Sequence, residues 1–386
     1  MSYREPYTGL DERDLDARRA IFDDPAHAAV RRTGGIRLGF LTFVGGEAQS
    51  IGDAHRSIIR LFHEAEQLGY SAGMLRTRHF QPYLSGPVSV LAAASQHTST
   101  MHLGTAVISF HSQEPIRLLE ELQTLDLVSG ERLEIGIATG PVDRRIASGW
   151  ERRYPDRASI DAGFEEFLRL LDGGALEAAP DRMLPGVASD EPVIVHPRSP
   201  GLRERIWLGA GSDASVDRAA RLGLKLQLSN LVAEPRALDL PVEIAQYRQI
   251  ERYLSAVAGG RRTPPETSIS RTVLPLTGSR IDAKTRENIA EWESFLRPDA
   301  PGEPQHAFKL RSRVAHNAIG DPAHVVEFLR TDLALAAADV VLVHLPSNYL
   351  LDEQVAFLAT VRDLVDEAIG VAFPATVSDR AAEHVS

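Results

Sequence analysis

Apolar positions along this chain fall into two alternating kinds of run. Nearly continuous apolar stretches of strand length occur at Ile36 to Val44, Ser71 to Leu75, Met101 to Ser109 and Arg132 to Ala138. Between them lie longer segments whose apolar residues recur every three or four positions: Ala54 to Leu68, Val88 to His97 and Pro115 to Val128. The first kind predicts strands buried on both faces, the second amphipathic helices. Gly69 and Gly130 stop two of those helices. Strand–helix units in succession predict a parallel sheet, because a strand reaches a parallel neighbour only through a crossover, usually a helix.

The rhythm loosens after Gly140, where a helix at Ile160 to Leu171 precedes a Pro- and Gly-rich passage reaching Pro200. Within that passage Pro192 to Pro197 predicts a short extra edge strand. Units then resume: strand Arg205 to Leu208, helix Ala214 to Leu222, strand Lys225 to Ser229, a helix near Pro241 to Ala258 and strand Thr267 to Leu276. A polar helical excursion over 277–320 follows, and helix Pro322 to Ala336, strand Asp339 to His344 and helix Asp352 to Ile369 close the pattern. About eight units predict an α/β fold, a (β/α)8 TIM barrel with insertions at about 173–204 and 277–320. Residues 1–34 form an N-terminal arm, 35–372 the barrel and 373–386 a C-terminal tail. An open doubly wound sheet is the alternative, but the Gly-rich dinucleotide fingerprint is missing after the first strand.

Composition narrows the chemistry. Of 386 residues 43% are apolar and 25% charged, enough for a sizeable core. There is no cysteine, which excludes disulfides, thiolate metal sites and a cysteine nucleophile, and which fits a reducing cytoplasm. With 42 basic and 53 acidic residues the net charge is −11, the wrong sign for a general nucleic-acid binder. No apolar run is long enough to span a bilayer and the first residues carry no signal-peptide pattern, so a cytoplasmic protein without a membrane partner is expected. His-Glu-x-x-His, the P-loop and Gly-x-Ser-x-Gly are absent, and no metal site is expected.

In a barrel the chemistry sits just after each strand. After the second strand come Arg76, Thr77, Arg78 and His79, two guanidinium groups and an imidazole within four residues. His79 is a candidate general acid–base or a structural loop histidine; Arg76 and Arg78 are candidate anion ligands, one of them expected to be an ordinary ion-pair partner. Gly209 to Ser215 opens a helix, where free N–H groups, the dipole and hydroxyls can converge on a phosphate. The competing reading is a plain N-cap by Ser212 or Asp213.

Several segments, in order, resemble the bacterial luciferase-like flavin monooxygenase family. They are Ala65 to Tyr70, Arg78 to Phe80, His102 to Val107, Ile116 to Asp126 leading into Ser129 to Gly140, and Trp207 to Ser215 followed by Arg218 to Gly223. The resemblance implies a (β/α)8 barrel that binds reduced FMN from a separate flavin reductase and reacts it with O2. A flavin C4a-(hydro)peroxide would then oxidise an organic small molecule. It implies a non-proline cis peptide, between Ala106 and Val107, under the flavin ring. It also implies a phosphate site at Arg157, Gly211, Ser212 and Ser215, with Thr139 where the family has a second phosphate Arg. His79 and Arg78 would face the reactive edge as catalytic residues, and a homodimer is expected.

Departures from the family pattern matter as much. The family's Glu-His-His-Phe reads Thr77-Arg78-His79-Phe80 here, so the His that assists luciferase chemistry falls on Arg78, and the reactive luciferase Cys falls on Ala138. Aldehyde oxidation with light emission is therefore not implied. An F420-dependent oxidoreductase on the same barrel, and a flavin-binding barrel without catalysis, are the alternatives.

Overall fold

The computed structural model describes residues 12–28, 30, 32–43, 50–77, 79, 86–140, 154–176, 192–233, 240–257, 265–278, 281–294, 296 and 313–373. Its first half contains α1 (Glu12–Phe22), β1 (Arg37–Thr42), α2 (Ile51–Gln67), β2 (Ala72–Leu75), α3 (Pro87–Ser95), β3 (His102–Ser109), α4 (Pro115–Val128), β4 (Leu133–Ala138) and α5 (Arg157–Leu171). There follow β5 (Ile206–Ala210), α6 (Asp213–Arg221), β6 (Lys225–Leu228), α7 (Val242–Val257), β7 (Thr267–Arg271), α8 (Ala283–Ser294), α9 (Pro322–Arg330), α10 (Leu333–Ala337), β8 (Val340–His344) and α11 (Leu351–Ile369). The eight β strands so labelled pair in parallel, each with its neighbour in sequence, and β1 closes on β8 through Arg37 opposite Val340. This is the (β/α)8 barrel, and the open sheet is excluded.

Local chemistry explains the boundaries. Ser50 caps α2 by accepting the Asp53 amide at 3.1 Å, and Gly69, at φ +87°, supplies the left-handed turn after it. Between these ends Ala54, Ile58, Leu61, Phe62 and Ala65 form the buried stripe. The main core lies between helices and barrel, while Leu41, Ala72, Met74, Trp207, Val340 and Leu342 fill the barrel itself. Glycines on inward strand positions let this interior close. A Cβ on Gly104 would lie 1.8 Å from the Glu134 carbonyl oxygen, and one on Gly136 would lie 2.2 Å from Gln227 Oε1.

Charge sits at the amino ends of the strands. Glu134, buried at the foot of β4, faces Lys225 Nζ at 3.3 Å, Arg37 at 3.5 Å and His102 Nδ1 at 3.7 Å. Glu266 pairs with both Lys225 and Arg37. Burial pushes the Glu134 carboxyl up, but Arg37 and Lys225 outweigh it and hold it well below its ordinary value of 4.5.

Four sequence expectations need correction. Pro192 to Pro197 is no strand: the Leu176 amide donates to Val193 at 2.6 Å, and the two prolines, without N–H groups, cannot donate to a ladder. The strand expected over Thr267 to Leu276 is two: β7 ends at Arg271, and Val273–Pro275 pairs outside the barrel with Ala318–Gly320. The helix expected over Pro322 to Ala336 breaks at Thr331 and Asp332. One residue pair lies at both breaks: the Arg271 guanidinium is buried against the Asp332 carboxylate at 2.7 Å, and Asp332 also caps α10. Finally, among its described residues 277–320 holds the expected helix, α8, but also the short strands Arg313–Val314 and Ala318–Gly320. The N-terminal α1 docks on the flank of the barrel, where Arg18 is buried, pairs with Glu243 of α7 and lies 4.2 Å from the Phe328 ring.

Candidate active site

The carboxyl ends of the strands surround a cavity of about 380 Å³. Its wall between β3 and β5 comes from Ala106, Val107, Ala138 and Gly209 to Gly211, and Leu41 and Leu342 supply further apolar surface. The Ala106–Val107 peptide is cis, and the β3–β4 register shifts between Thr105 and Ile108. Thr77 Oγ1 donates to the Val107 carbonyl at 2.9 Å, so the loop after β2 is tied to this bulge. Gly209 is the fitting residue opposite, because a Cβ there would approach Val107 Cγ1 to 3.0 Å.

Beside the cavity, the start of α6 gathers groups suited to an anion. Gly211 lines the cavity, and Ser212 caps α6, its hydroxyl 3.1 Å from that of Ser215. One turn further along, Arg218 donates to Thr139 Oγ1 at 2.9 Å, and Arg157 reaches the same oxygen at 3.2 Å. Both guanidinium groups also pair with Asp161. Two cations against one carboxylate leave a net positive charge around Thr139. Asp213, which would oppose an anion, is directed to Arg252 of α7 at 3.9 Å. The N-cap and the anion readings are thus compatible, because Ser212 caps the helix while the cluster around Thr139 provides the charge.

The structure brings together Ala106, Val107 and Gly211 on the cavity wall, and joins Thr139 to Arg157 and Ser212 to Ser215 beside it. His79 lies elsewhere: it lines an adjacent cavity of about 100 Å³ that shares Thr77 with the larger one. Its Nε2 is 3.1 Å from Ser112 Oγ, and burial lowers its pKa, favouring the neutral ring. Arg78 lies outside the described residues.

Sequence reasoning missed part of the site. Arg218, in mid-helix, reads as a surface residue. Gln227, Ser270 and His344 line the cavity from β6, β7 and β8. Burial, with Arg76 and Arg271 nearby, pushes the His344 pKa down to about 3, so its imidazole is neutral. The available signal is Lys225-x-Gln227 and Ser268-x-Ser270: polar residues two apart on apolar strands mark one common face. Among the described residues no cluster of His, Asp and Glu suits a metal, and no helix is long and apolar enough to cross a membrane.

Comparison with known proteins agrees with the barrel fold. Among curated relatives, the alkanal monooxygenase alpha chain of the Kryptophanaron alfredi symbiont is 25% identical over 202 residues, covering 49% of this chain and 54% of that protein. The F420-dependent glucose-6-phosphate dehydrogenase of Mycolicibacterium gilvum is 26% identical over 135 residues, covering 33% of this chain and 40% of that one. The chain spans about half the length of the first curated relatives it matches. Among solved structures, the oxygenating constituent of 3,6-diketocamphane monooxygenase from Pseudomonas putida, in complex with FMN, superposes with a TM-score of 0.61 at 15% identity, covering 88% of this chain and 100% of that one. That likeness concerns the fold alone. A family profile described as luciferase-like monooxygenase matches residues 36–339, from the residue before β1 to the residue before β8. The match takes in all but the last strand of the barrel, and the chain belongs to the luciferase-like monooxygenase family.

Proposed function

We propose that this protein is a monooxygenase that takes reduced FMN from a separate reductase and uses O2 to oxidise an organic small molecule. The observation that carries the reading is the junction of a bulged cavity with the start of α6, which bears the Ser212 and Ser215 hydroxyls, and with the Arg157 and Arg218 guanidinium groups gathered at Thr139; this suits a ring at one end and a phosphate at the other. The residues fit the group. Ala106 and Val107 would support the ring; Gly211, Ser212, Ser215 and Arg157 would hold the phosphate, with Arg218 and Thr139 setting the charge and orientation of Arg157. Bound reduced flavin supplies the electrons that activate O2. The chain's own part is to bind and orient it, and to keep water from the reacting edge with Leu41, Val107 and Leu342. His79, neutral and held by Ser112, is suited to manage a proton from beside the cavity. A homodimer in the cytoplasm completes this reading.

The second reading is an F420-dependent oxidoreductase, favoured by the similarity to the F420-dependent glucose-6-phosphate dehydrogenase. Anaerobic titration with reduced FMN, oxidised FMN and F420 separates the two. Ser212→Asp places a carboxylate in the phosphate cradle and should weaken FMN binding tenfold or more, about 1.4 kcal/mol, while leaving riboflavin, which lacks the phosphate, unaffected. FMN affinity unchanged by Ser212→Asp removes the phosphate assignment, and preference for F420 replaces the first reading by the second.

A further inference from the structure

The wall of the cavity formed by β6, β7 and β8 is built differently from the rest. Gln227, Ser270 and His344 stand there with relative exposures of 5%, 3% and 9%. Gln227 Oε1 and Nε2, Ser270 Oγ and His344 Nε2 are buried and make no hydrogen bond among the described residues. Protein interiors leave few such groups unsatisfied, because each loses its hydration and recovers nothing. All three residues line the cavity, on adjacent strands of one barrel face.

We propose that Gln227, Ser270 and His344 read the cyclic imide edge, O=C–N(H)–C=O, of the pyrimidinedione ring of a flavin or deazaflavin. The inference rests on the proposed function insofar as the cavity holds such a ring. The chemistry of the three side chains selects the edge. Gln227 offers one acceptor and a donor group in one plane, matching an N–H flanked by a carbonyl; Ser270 and His344 can each donate to a carbonyl oxygen. The imidazole is uncharged, so these three side chains present donors and acceptors and carry no charge themselves, while Arg76 lines the same cavity near His344. A phosphate or carboxylate is matched at the cradle, an uncharged imide here. The position of Gln227 is set by Gly136, whose missing side chain leaves the space that Oε1 occupies. The imide is common to FMN and F420, so the assignment does not depend on which of them binds.

The test compares binding of oxidised FMN and of 3-methyl-FMN, in which the imide N–H is replaced by N–CH3, followed by flavin fluorescence with the full chain. The wild type should bind 3-methyl-FMN at least tenfold more weakly than FMN. Gln227→Leu removes the acceptor and should reduce that discrimination to about onefold, with the carbonyl stretching frequencies of bound FMN shifted relative to the wild type. Should Gln227→Leu fail to fold, Ser270→Ala removes a single hydroxyl and should weaken FMN binding several-fold with the same kind of vibrational shift. Equal binding of the two flavins by the wild type, or undiminished discrimination by a folded Gln227→Leu protein, overturns the assignment while leaving the flavin reading intact. Failure of the wild type to bind any flavin or F420 overturns both.

Discussion

Replacing Glu134 by Gln tests how the foot of the barrel is held together. The substitution keeps the shape of a side chain only 2% exposed and removes its charge. Lys225 Nζ at 3.3 Å and the Arg37 guanidinium at 3.5 Å then have only Glu266 to share. Removing one member of a buried pair costs roughly 3–5 kcal/mol, and the remaining carboxylate argues for the lower end, about 3 kcal/mol. At an unfolding entropy of about 2.1 cal/mol/K per residue, this corresponds to a fall of about 4 °C in Tm for a chain of 386 residues. Glu121→Gln is the control: it breaks an exposed pair with Arg117 at 2.9 Å, worth about 0.3–0.5 kcal/mol, and should move Tm by less than about 1 °C. The pH dependence has a definite sign. The folded protein holds the Glu134 carboxyl below the unfolded value of 4.5, so its contribution is complete above pH 4.5 and is lost as the pH falls below it. Thermal melts by circular dichroism should therefore show the gap between wild type and Glu134→Gln narrowing as the pH drops below 4.5. A gap that stays constant with pH, or a Tm loss no larger than that of the control, would refute the account.

Two glycines make contrasting predictions. Gly104→Ala would place its methyl 1.8 Å from the backbone oxygen of Glu134, which cannot rotate away, so the cost should exceed the roughly 1–3 kcal/mol of ordinary overpacking and soluble yield should collapse; Gly86→Ala, with no atom within 4 Å, should express and melt like the wild type. Gly209→Val, beside Val107 at the cavity wall, should keep the barrel, with a circular-dichroism spectrum like the wild type's, yet lower FMN affinity at least tenfold in a fluorescence titration; unchanged affinity would mean that the ring lies elsewhere.

Much of the architecture is written in the period of the apolar residues. Strand-length runs alternating with three-or-four spacing placed the eight units, because buried parallel strands and amphipathic helices differ so plainly in pattern. What escaped was set by partners far apart in sequence. Arg271 and Asp332 are 61 positions apart, yet their ion pair coincides with the end of β7 and divides α9 from α10. No local window contains both. The helix start at Ser212 was visible because Gly, Ser and a following helical stripe are local features, whereas Arg218 belongs to the cradle through Thr139, 79 positions earlier, and Asp161. Gln227, Ser270 and His344 sit on strands whose two faces become inside and outside only once the barrel has closed. The bulge at Ala106 and Val107 was located by family resemblance, since nothing in the spacing of those residues announces it.

That closure has a consequence for how the chain is made. β1 leaves the ribosome before β8, which completes one of its two edges, with Arg37 facing Val340. The strap from Gly370 to Ala372 then lies along Ile36, accepting its amide at 2.9 Å and donating back at 2.8 Å. Until some 300 residues have followed it, β1 offers an unpaired edge of buried-type sequence, the kind of surface on which nascent chains associate wrongly. Final assembly of the ring therefore waits until β8 has been made, and a chain interrupted before β8 would be an open sheet with its interior exposed.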